Sequence, residues 1–277
     1  MRVVTIVDKY AVIGNPVAHS LSPVIHQLFA KQTKQMISYE KCLAPITQFD
    51  ECVYAFIESG GLGMNVTVPF KNLAYQLAHI RSEQTQLAQA ANCLKFKEGV
   101  IYANNFDGAG LINDLCRNYH FDLRGTSVLI MGAGGAVQGV LAPLLAQKPR
   151  EVVIANRTLK RAQELAKEFQ PFGTVSGCGF SDIPKHAFDF IIHATSAGHD
   201  DNLPAIPDYV FSSQSVCYDL SYGKAALPFL KLAKSHGVKW VLDGLGMLVE
   251  QAALSFQFWR GVLPETANVL KKLKKEG

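Results

Sequence analysis

The run Thr126-Ser127-Val128-Leu129-Ile130-Met131-Gly132-Ala133-Gly134-Gly135-Ala136 constrains the fold of this chain more than any other stretch. A short apolar run that ends in glycines and continues into helical periodicity reads as a buried strand turning into a helix. Unpaired N–H groups at such a helix start, reinforced by its dipole, form a cradle for a phosphate group. The same alternation continues downstream. Helices are expected at 135–146, 159–169 and 225–236, and strands at 151–155, 188–194 and 215–219. This is the rhythm of a doubly wound, Rossmann-type domain that binds a nucleotide.

A glycine fingerprint alone is a weak signal, and Val137 stands where the third small residue of the usual pattern falls. The bland alternative is a tight strand-to-helix turn with no ligand. Context comes from the end of the next strand, roughly 20 residues on, where a carboxylate would accept from the ribose 2′-hydroxyl of NAD. Here the chain has Asn156-Arg157-Thr158, followed by Lys160 and Arg161. A guanidinium can hold a 2′-phosphate through forked hydrogen bonds, which points to NADP rather than NAD. The competing reading makes Arg157 and Arg161 a solvated helix start, although cations there oppose the helix dipole.

The N-terminal half has a different motif density. Strands are expected at 10–14, 38–43 and 61–68, with a helix at 47–59 and a helix opened by Ser22-Pro23, where Ser22 would be the N-cap. Alternation of this kind implies a parallel sheet with crossover helices. Two further extended segments, 92–96 and 100–103, flank the turn at Glu98-Gly99. The third strand runs through Asn65-Val66-Thr67-Val68-Pro69-Phe70-Lys71, so that one lysine ends a proline-marked turn. Asp107 stands at the head of a helix expected to reach about Asn118. Reducing a ketone requires a hydride and a proton, and a Lys/Asp pair is chemically sufficient for the proton. Taken singly, both residues would pass as surface charges. Ser20 and Ser22 place two hydroxyls at a helix entrance, a seat for a carboxylate, while Asn65, Thr67, Asn92 and Gln251 are neutral donors and acceptors suited to a polyhydroxylated ring. After Asp243-Gly244-Leu245-Gly246 come a long apolar helix, 247–259, and a last helix from Pro264, both expected to return to the first domain.

Composition narrows the remaining classes. Hydrophobic residues at 48% and charged residues at 18% describe an ordinary globular chain, and 277 residues favour two domains. A net charge of +4 without a dense basic stripe argues against nucleic acid. The six cysteines, 42, 52, 93, 116, 178 and 217, form no C-x-x-C pair and have no histidine at zinc-ligand spacing, so no metal is expected and the thiols read as buried and reduced. With no signal-like or membrane-length apolar run, the expected location is cytoplasmic.

Several blocks together carry a resemblance. They are Tyr10 to Pro23, Asn65 to Lys71, Phe106-Asp107-Gly108, Gly132 to Ala136, Asn156-Arg157-Thr158, Ala194-Thr195-Ser196, Tyr218 to Gly223 and Asp243 to Gln251. In content and order, over nearly the whole chain, they resemble the shikimate dehydrogenase family. The resemblance implies an α/β enzyme with an N-terminal substrate-binding domain at 1–106, completed by 243–277, and an NADP-binding Rossmann domain at 107–242, with a cleft between them. It implies reversible reduction of 3-dehydroshikimate to shikimate with NADPH, in aromatic amino acid (chorismate) biosynthesis. Lys71 and Asp107 would be catalytic and would also touch substrate. Ser20 and Ser22 would hold the substrate carboxylate, Thr67, Asn92 and Gln251 its hydroxyls, and Tyr222 would lie near substrate and nicotinamide. Gly132, Ala133, Gly134, Gly135 and Ala136 would bind the pyrophosphate, and Asn156, Arg157, Thr158 and Arg161 the 2′-phosphate. Thr195, Gly244 and Met247 complete the cofactor set, Met247 against the nicotinamide. The expected partner is a small molecule, with no nucleic acid and no membrane, in a monomer or homodimer.

The chain also departs from the family pattern. Phe106 and Cys93 stand where threonine is usual, and His193 where asparagine is common. A lone histidine ending an apolar strand reads as structural, so His193 is assigned no role. The competing functions are a quinate/shikimate dehydrogenase of broader substrate and cofactor use, and a non-catalytic NADP-binding protein, which would be marked by loss of Lys71 or Asp107.

Overall fold

In the computed structural model, residues 7–195 and 203–276 are described. The chain divides into two compact units, one made of Met1–Gly110 with Leu248–Gly277 and the other of Leu111–Met247. These divisions fall later than the expected 106/107 and 242/243. Asp107 therefore lies in the first unit, while Gly244 and Met247 lie in the second.

The first unit begins β1 (Asp8–Gly14), α1 (Ser22–Thr33), β2 (Ile37–Leu43), α2 (Phe49–Glu58), β3 (Gly61–Val66) and α3 (Lys71–Leu77). It continues through β4 (Ile80–Arg81), α4 (Glu83–Ala88), β5 (Cys93–Lys97), β6 (Val100–Asn104) and α5 (Asp107–Asn113). Its sheet has the order β2-β1-β3-β5-β6-β4. The expectation of a parallel sheet holds for β2, β1 and β3 and for the short β4–β6 pair, but β5 runs antiparallel to both β3 and β6. The Glu98-Gly99 turn, with both residues at positive φ, makes β5 and β6 a hairpin. A two-residue turn reverses the chain, whereas a parallel neighbour would need a crossover.

Alternation along β1 divides the buried surface between the faces of this sheet. Ala11 and Ile13 join Phe49, Val53, Met64, Val66 and Phe70 in one cluster, and Tyr10 and Val12 join Tyr39, Cys93 and Trp259 in the other. Close approach on the second face depends on Gly63. A Cβ there would fall 2.5 Å from Trp259 Nε1, which donates to the Leu94 carbonyl at 2.8 Å.

The second unit carries β7 (Ser127–Met131), α6 (Gly135–Leu145), β8 (Glu151–Ala155), α7 (Leu159–Phe169), β9 (Val175–Cys178), β10 (Phe190–His193), β11 (Val216–Asp219), α8 (Leu227–Ser235) and β12 (Trp240–Leu242). All its strand pairs are parallel, in the order β12-β11-β10-β7-β8-β9. Numbered within the unit this is the Rossmann order 3-2-1-4-5-6, with its switch point between β7 and β10. Every residue of β7 is buried, as a central parallel strand covered on both faces requires. Helix α7 turns Ala162, Leu165, Ala166 and Phe169 inward, the spacing of one helical face.

Helix α9 (Leu245–Arg260) crosses back into the first unit, and α10 (Ala267–Glu276) ends the chain. Among the described residues no helix is long and apolar enough to cross a membrane.

Candidate active site

In the first unit, Lys71 opens α3 and Asp107 opens α5, each at the point where a strand segment turns into a helix. The Lys71 Nζ lies 2.6 Å from Asp107 Oδ2, with the side chains 18% and 8% exposed. Enough of the amine reaches the surface to meet a ligand, while the carboxylate is largely shielded and strengthens their attraction. Asn92 Nδ2 donates to Asp107 Oδ1 at 2.8 Å and to Gln251 Oε1 at 3.2 Å. Asn92 Oδ1 accepts the Phe106 N–H at 2.9 Å, and Asn105 Oδ1 accepts that of Asp107 at 3.1 Å. Both oxygens of the Asp107 carboxylate are thus engaged and its backbone is anchored.

The structure corrects the role given to Asn65. Its Oδ1 accepts from Tyr39 Oη at 2.8 Å and His26 Nε2 at 3.1 Å, and its Nδ2 donates to Ser255 Oγ at 2.8 Å and the Asn92 carbonyl at 3.3 Å. That is the full capacity of a side-chain amide, so none remains for a ring hydroxyl. Ser255 in turn donates to the Gln251 carbonyl at 3.0 Å, and Gln251 Nε2 to that of Leu248 at 2.9 Å. The sequence reading missed His26, Tyr39, Asn105 and Ser255. Each is a polar side chain on a buried face, and only its burial distinguishes it from a surface residue.

Burial pushes the His26 pKa down to about 3, against a smaller opposing effect of its hydrogen bond to Asn65. The ring stacks on Tyr39 at a centroid distance of 4.3 Å, and its Nδ1 is buried with no hydrogen-bond partner among the described residues. Burial likewise holds the Tyr39 phenol well above its ordinary value, with the Ser22 side chain as a hydrogen-bond neighbour. Ser22 is not the N-cap. Leu21 occupies that position, Ser22 is the first helical residue, and Ser20 Oγ accepts its N–H at 3.3 Å. The two serines are therefore adjacent, with Ser22 buried and Ser20 half-buried. Thr67 is half-buried just beyond β3, its N–H donating to the Ile13 carbonyl at 2.9 Å.

The departures Phe106 and Cys93 belong to one apolar cluster. Phe106 packs edge-on against Phe258 at 6.0 Å, and the Cys93 thiol is pushed up to about 12 by burial. All six cysteines are unpaired, but only Cys93 and Cys217 are buried, so the expectation that all six would be buried holds for those two.

In the second unit, Gly132 leaves β7 at φ +119°, and a Cβ there would lie 2.9 Å from the Ala194 carbonyl oxygen. Only glycine fits that turn. Gly134 caps α6, and the space a Cβ would occupy there is open. Ala133, Gly135 and Ala136 are half-exposed around the same helix start. At the end of β8, Asn156 Nδ2 donates to the Thr158 carbonyl at 3.0 Å, holding the loop that presents Arg157. Arg157, Thr158 and Arg161 are exposed, and neither arginine is in an ion pair among the described residues. An open glycine cradle beside unpaired guanidinium groups fits a phosphorylated dinucleotide. Thr195 follows β10 and is half-buried, and Ser196 lies outside the described residues. Tyr222 is half-buried beyond β11. Gly244 donates to the Ser221 carbonyl at 2.8 Å, and Met247 N–H to Tyr218 Oη at 3.3 Å. Among the described residues no group of three or more His, Cys, Asp or Glu could hold a metal ion.

Three family profiles match the chain: the shikimate dehydrogenase substrate binding domain over residues 12–94, shikimate / quinate 5-dehydrogenase over 114–200, and the shikimate 5′-dehydrogenase C-terminal domain over 244–274. A Coxiella burnetii protein named shikimate dehydrogenase (NADP(+)) is 52% identical over 268 residues, covering 96% of this chain and 98% of its own. The Chromobacterium violaceum protein of the same name is 45% identical over 267 residues, with the same coverage. Among solved structures, an Ael1 enzyme from Pseudomonas putida superposes with a TM-score of 0.89 at 45% identity, covering 96% of this chain and 98% of that one. Shikimate 5-dehydrogenase from Thermus thermophilus, in complex with NADP(H) and shikimate, superposes with a TM-score of 0.83 at 28% identity, covering 97% and 99%.

Proposed function

This chain belongs to the shikimate dehydrogenase family, and we propose on that footing that it catalyses the reversible, NADP-dependent reduction of 3-dehydroshikimate to shikimate, a step toward chorismate and the aromatic amino acids. The observation that carries this reading is the Lys71–Asp107 pair at 2.6 Å, held by Asn92. The first unit is the substrate-binding domain and the second the NADP-binding domain. This assignment is supported by the profile matched to residues 12–94 and by the glycine cradle after β7.

Bound NADPH supplies the hydride. In the first unit, the Lys71 ammonium donates a proton to the oxygen of the reacting carbon as that oxygen becomes an alkoxide, and takes it back in the oxidative direction. Asp107 orients the amine through Oδ2 while Asn92 fixes Oδ1. Gln251 is held from both ends of its amide, so its Oε1 has a fixed position near Asn92. Ser20 and Ser22 bind the carboxylate, and Thr67, Asn92 and Gln251 the hydroxyls. In the second unit, the N–H groups from Gly132 to Ala136 take the pyrophosphate, Asn156, Arg157, Thr158 and Arg161 the 2′-phosphate, and Thr195, Gly244 and Met247 the remainder of the cofactor.

The protein is read as a cytoplasmic monomer or homodimer, and its six unpaired cysteines support the reducing compartment. A quinate-using activity is the second reading, and Phe106 is the observation behind it. A ring that packs on Phe258 offers no hydroxyl beside Asp107. Steady-state assays with shikimate and quinate, each against NADP and NAD, separate the two. The first reading requires kcat/KM to be highest for shikimate with NADP, and equal efficiency on quinate replaces it with the second.

A further inference from the structure

One enclosed polar cluster of the second unit centres on two residues that have no role so far. His193 ends β10 and Asp219 ends β11, and the parallel register pairs them directly. Both are 1% exposed, and Asp219 Oδ2 lies 2.7 Å from His193 Nδ1. On its other edge the imidazole places Nε2 2.7 Å from Thr195 Oγ1, and its face stacks on Phe229 at 4.9 Å. The second carboxylate oxygen, Oδ1, accepts the Ser221 N–H at 2.7 Å, and the Ser221 carbonyl accepts that of Gly244 at 2.8 Å. One hydrogen-bonded line therefore joins the segments that follow β10, β11 and β12. All three leave the carboxyl edge of a parallel sheet, the edge at which open α/β sheets bind ligands.

The donors and acceptors along this line set its polarity. An ionised carboxylate only accepts, so the proton between Asp219 and His193 resides on Nδ1. In a neutral ring that leaves Nε2 as an acceptor, and the Thr195 hydroxyl must donate to it. The Thr195 oxygen then offers lone pairs, and no proton, to any other group. Had the pattern been the reverse, Thr195 would present a donor.

We propose that His193 is a positioning residue for the cofactor: held by Asp219, it fixes Thr195 as a hydrogen-bond acceptor for an N–H donor group of the bound dinucleotide. An amide on the cofactor's reactive ring is a donor of that class. The inference rests on the NADP reading above and adds to it the residue that sets the direction of one cofactor contact. Asparagine at this position would offer both a donor and an acceptor at shorter reach. The histidine instead commits the threonine to one orientation.

Two measurements test this. In ligand-free protein, nitrogen-proton correlation spectra of the histidine side chains should show one ring protonated at Nδ1 and bare at Nε2, assigned to His193 by its loss in His193→Gln. Protonation at both nitrogens, or at Nε2 alone, overturns the proposal. The second is a direct titration of NADPH into the parent, His193→Phe, Thr195→Val and the double variant, each with its thermal midpoint recorded. Each single change should weaken binding by about tenfold, the scale of one lost hydrogen bond, and the double variant should be no weaker than either single one. Additive losses, or unchanged affinity in His193→Phe, overturn it. His193→Gln replaces His193→Phe in this cycle if the phenylalanine variant does not fold. A parent that binds no NADPH would instead refute the cofactor reading, and the ring-nitrogen spectrum would still decide the geometry of His193.

Discussion

Lys71 and Asp107 meet through a single contact, Nζ to Oδ2 at 2.6 Å, while the other oxygen of Asp107 is taken by Asn92 at 2.8 Å. Each oxygen of the carboxylate thus has a partner before any substrate arrives, and the amine keeps N–H donors to spare. Lys71→Ala should lower kcat by roughly 10² to 10⁴ with a modest change in shikimate KM. Asp107→Asn should also slow turnover, and the double variant should be little worse than Lys71→Ala, because the two act as one unit. NADPH affinity by direct titration should match that of the parent. Near-parental kcat in folded Lys71→Ala would refute the mechanism.

Arg157 is exposed on the loop after β8 and forms no ion pair among the described residues, so its removal leaves no buried partner stranded. Arg157→Ala should raise KM for NADP by about tenfold to a hundredfold, the range of a hydrogen bond to a charged group. The KM for NAD should hardly move. Parallel losses with both cofactors would mean that Arg157 supports the loop instead of the 2′-phosphate.

Ser20 and Ser22 are expected to act on substrate binding, since a carboxylate distant from the reacting carbon is held alike in ground and transition states. Ser20→Ala and Ser22→Ala should each raise shikimate KM by about tenfold at near-constant kcat. Because Ser20 Oγ accepts the Ser22 N–H, Ser20→Ala should also cost about 0.5 to 1 kcal/mol of stability. A kcat loss at constant KM would assign these serines to the reacting geometry.

His26 links pH to folding. Its native pKa is about 3, against about 6.5 in an unfolded chain, so between those values the unfolded state binds the extra proton. The stabilisation is present above pH 6.5 and is lost as pH falls through this window. From pH 7 to pH 5 the cost is about 2 kcal/mol. Urea denaturation of the parent and of His26→Phe at both pH values checks this. The stability difference between the two proteins should shift in favour of the variant by about that amount at pH 5, and an unchanged difference would exclude His26 as the source.

The Rossmann half was legible because its central strands are mostly apolar runs with a polar residue at one end, and β7 is buried at every residue. Strand β9, only four residues with a glycine among them, left no such trace, nor did the two residues of β4. In the other half, the hairpin turn at Glu98-Gly99 was readable, but not its consequence that β5 lies antiparallel to β3. Strand direction within a sheet depends on where a hairpin docks, which local pattern does not encode. Lys71 and Asp107 were found through the motifs around them. His193 was set aside because its partner is distant in sequence and joins it only through the register of β10 with β11. Ser22 was misplaced by one position, since a serine before proline carries the same local signature as N-cap or first helical residue.

Asn65 has a consequence for how any mutational survey of this protein would be interpreted. Its amide is saturated by Tyr39, His26, Ser255 and the Asn92 backbone, so it joins α1, β2, α9 and the segment before β5 at one point. Replacing it would leave two acceptors and two donors of the surrounding shell to find new partners, and the Asn92 segment that steadies Asp107 would be among the first to shift. A screen scored by turnover would rank Asn65 beside Lys71, and a screen scored by protein abundance would find it too. Lys71 would appear only in the first. The two kinds of survey, compared position by position, would therefore separate the residues that perform the reaction from the one that keeps their scaffold in register.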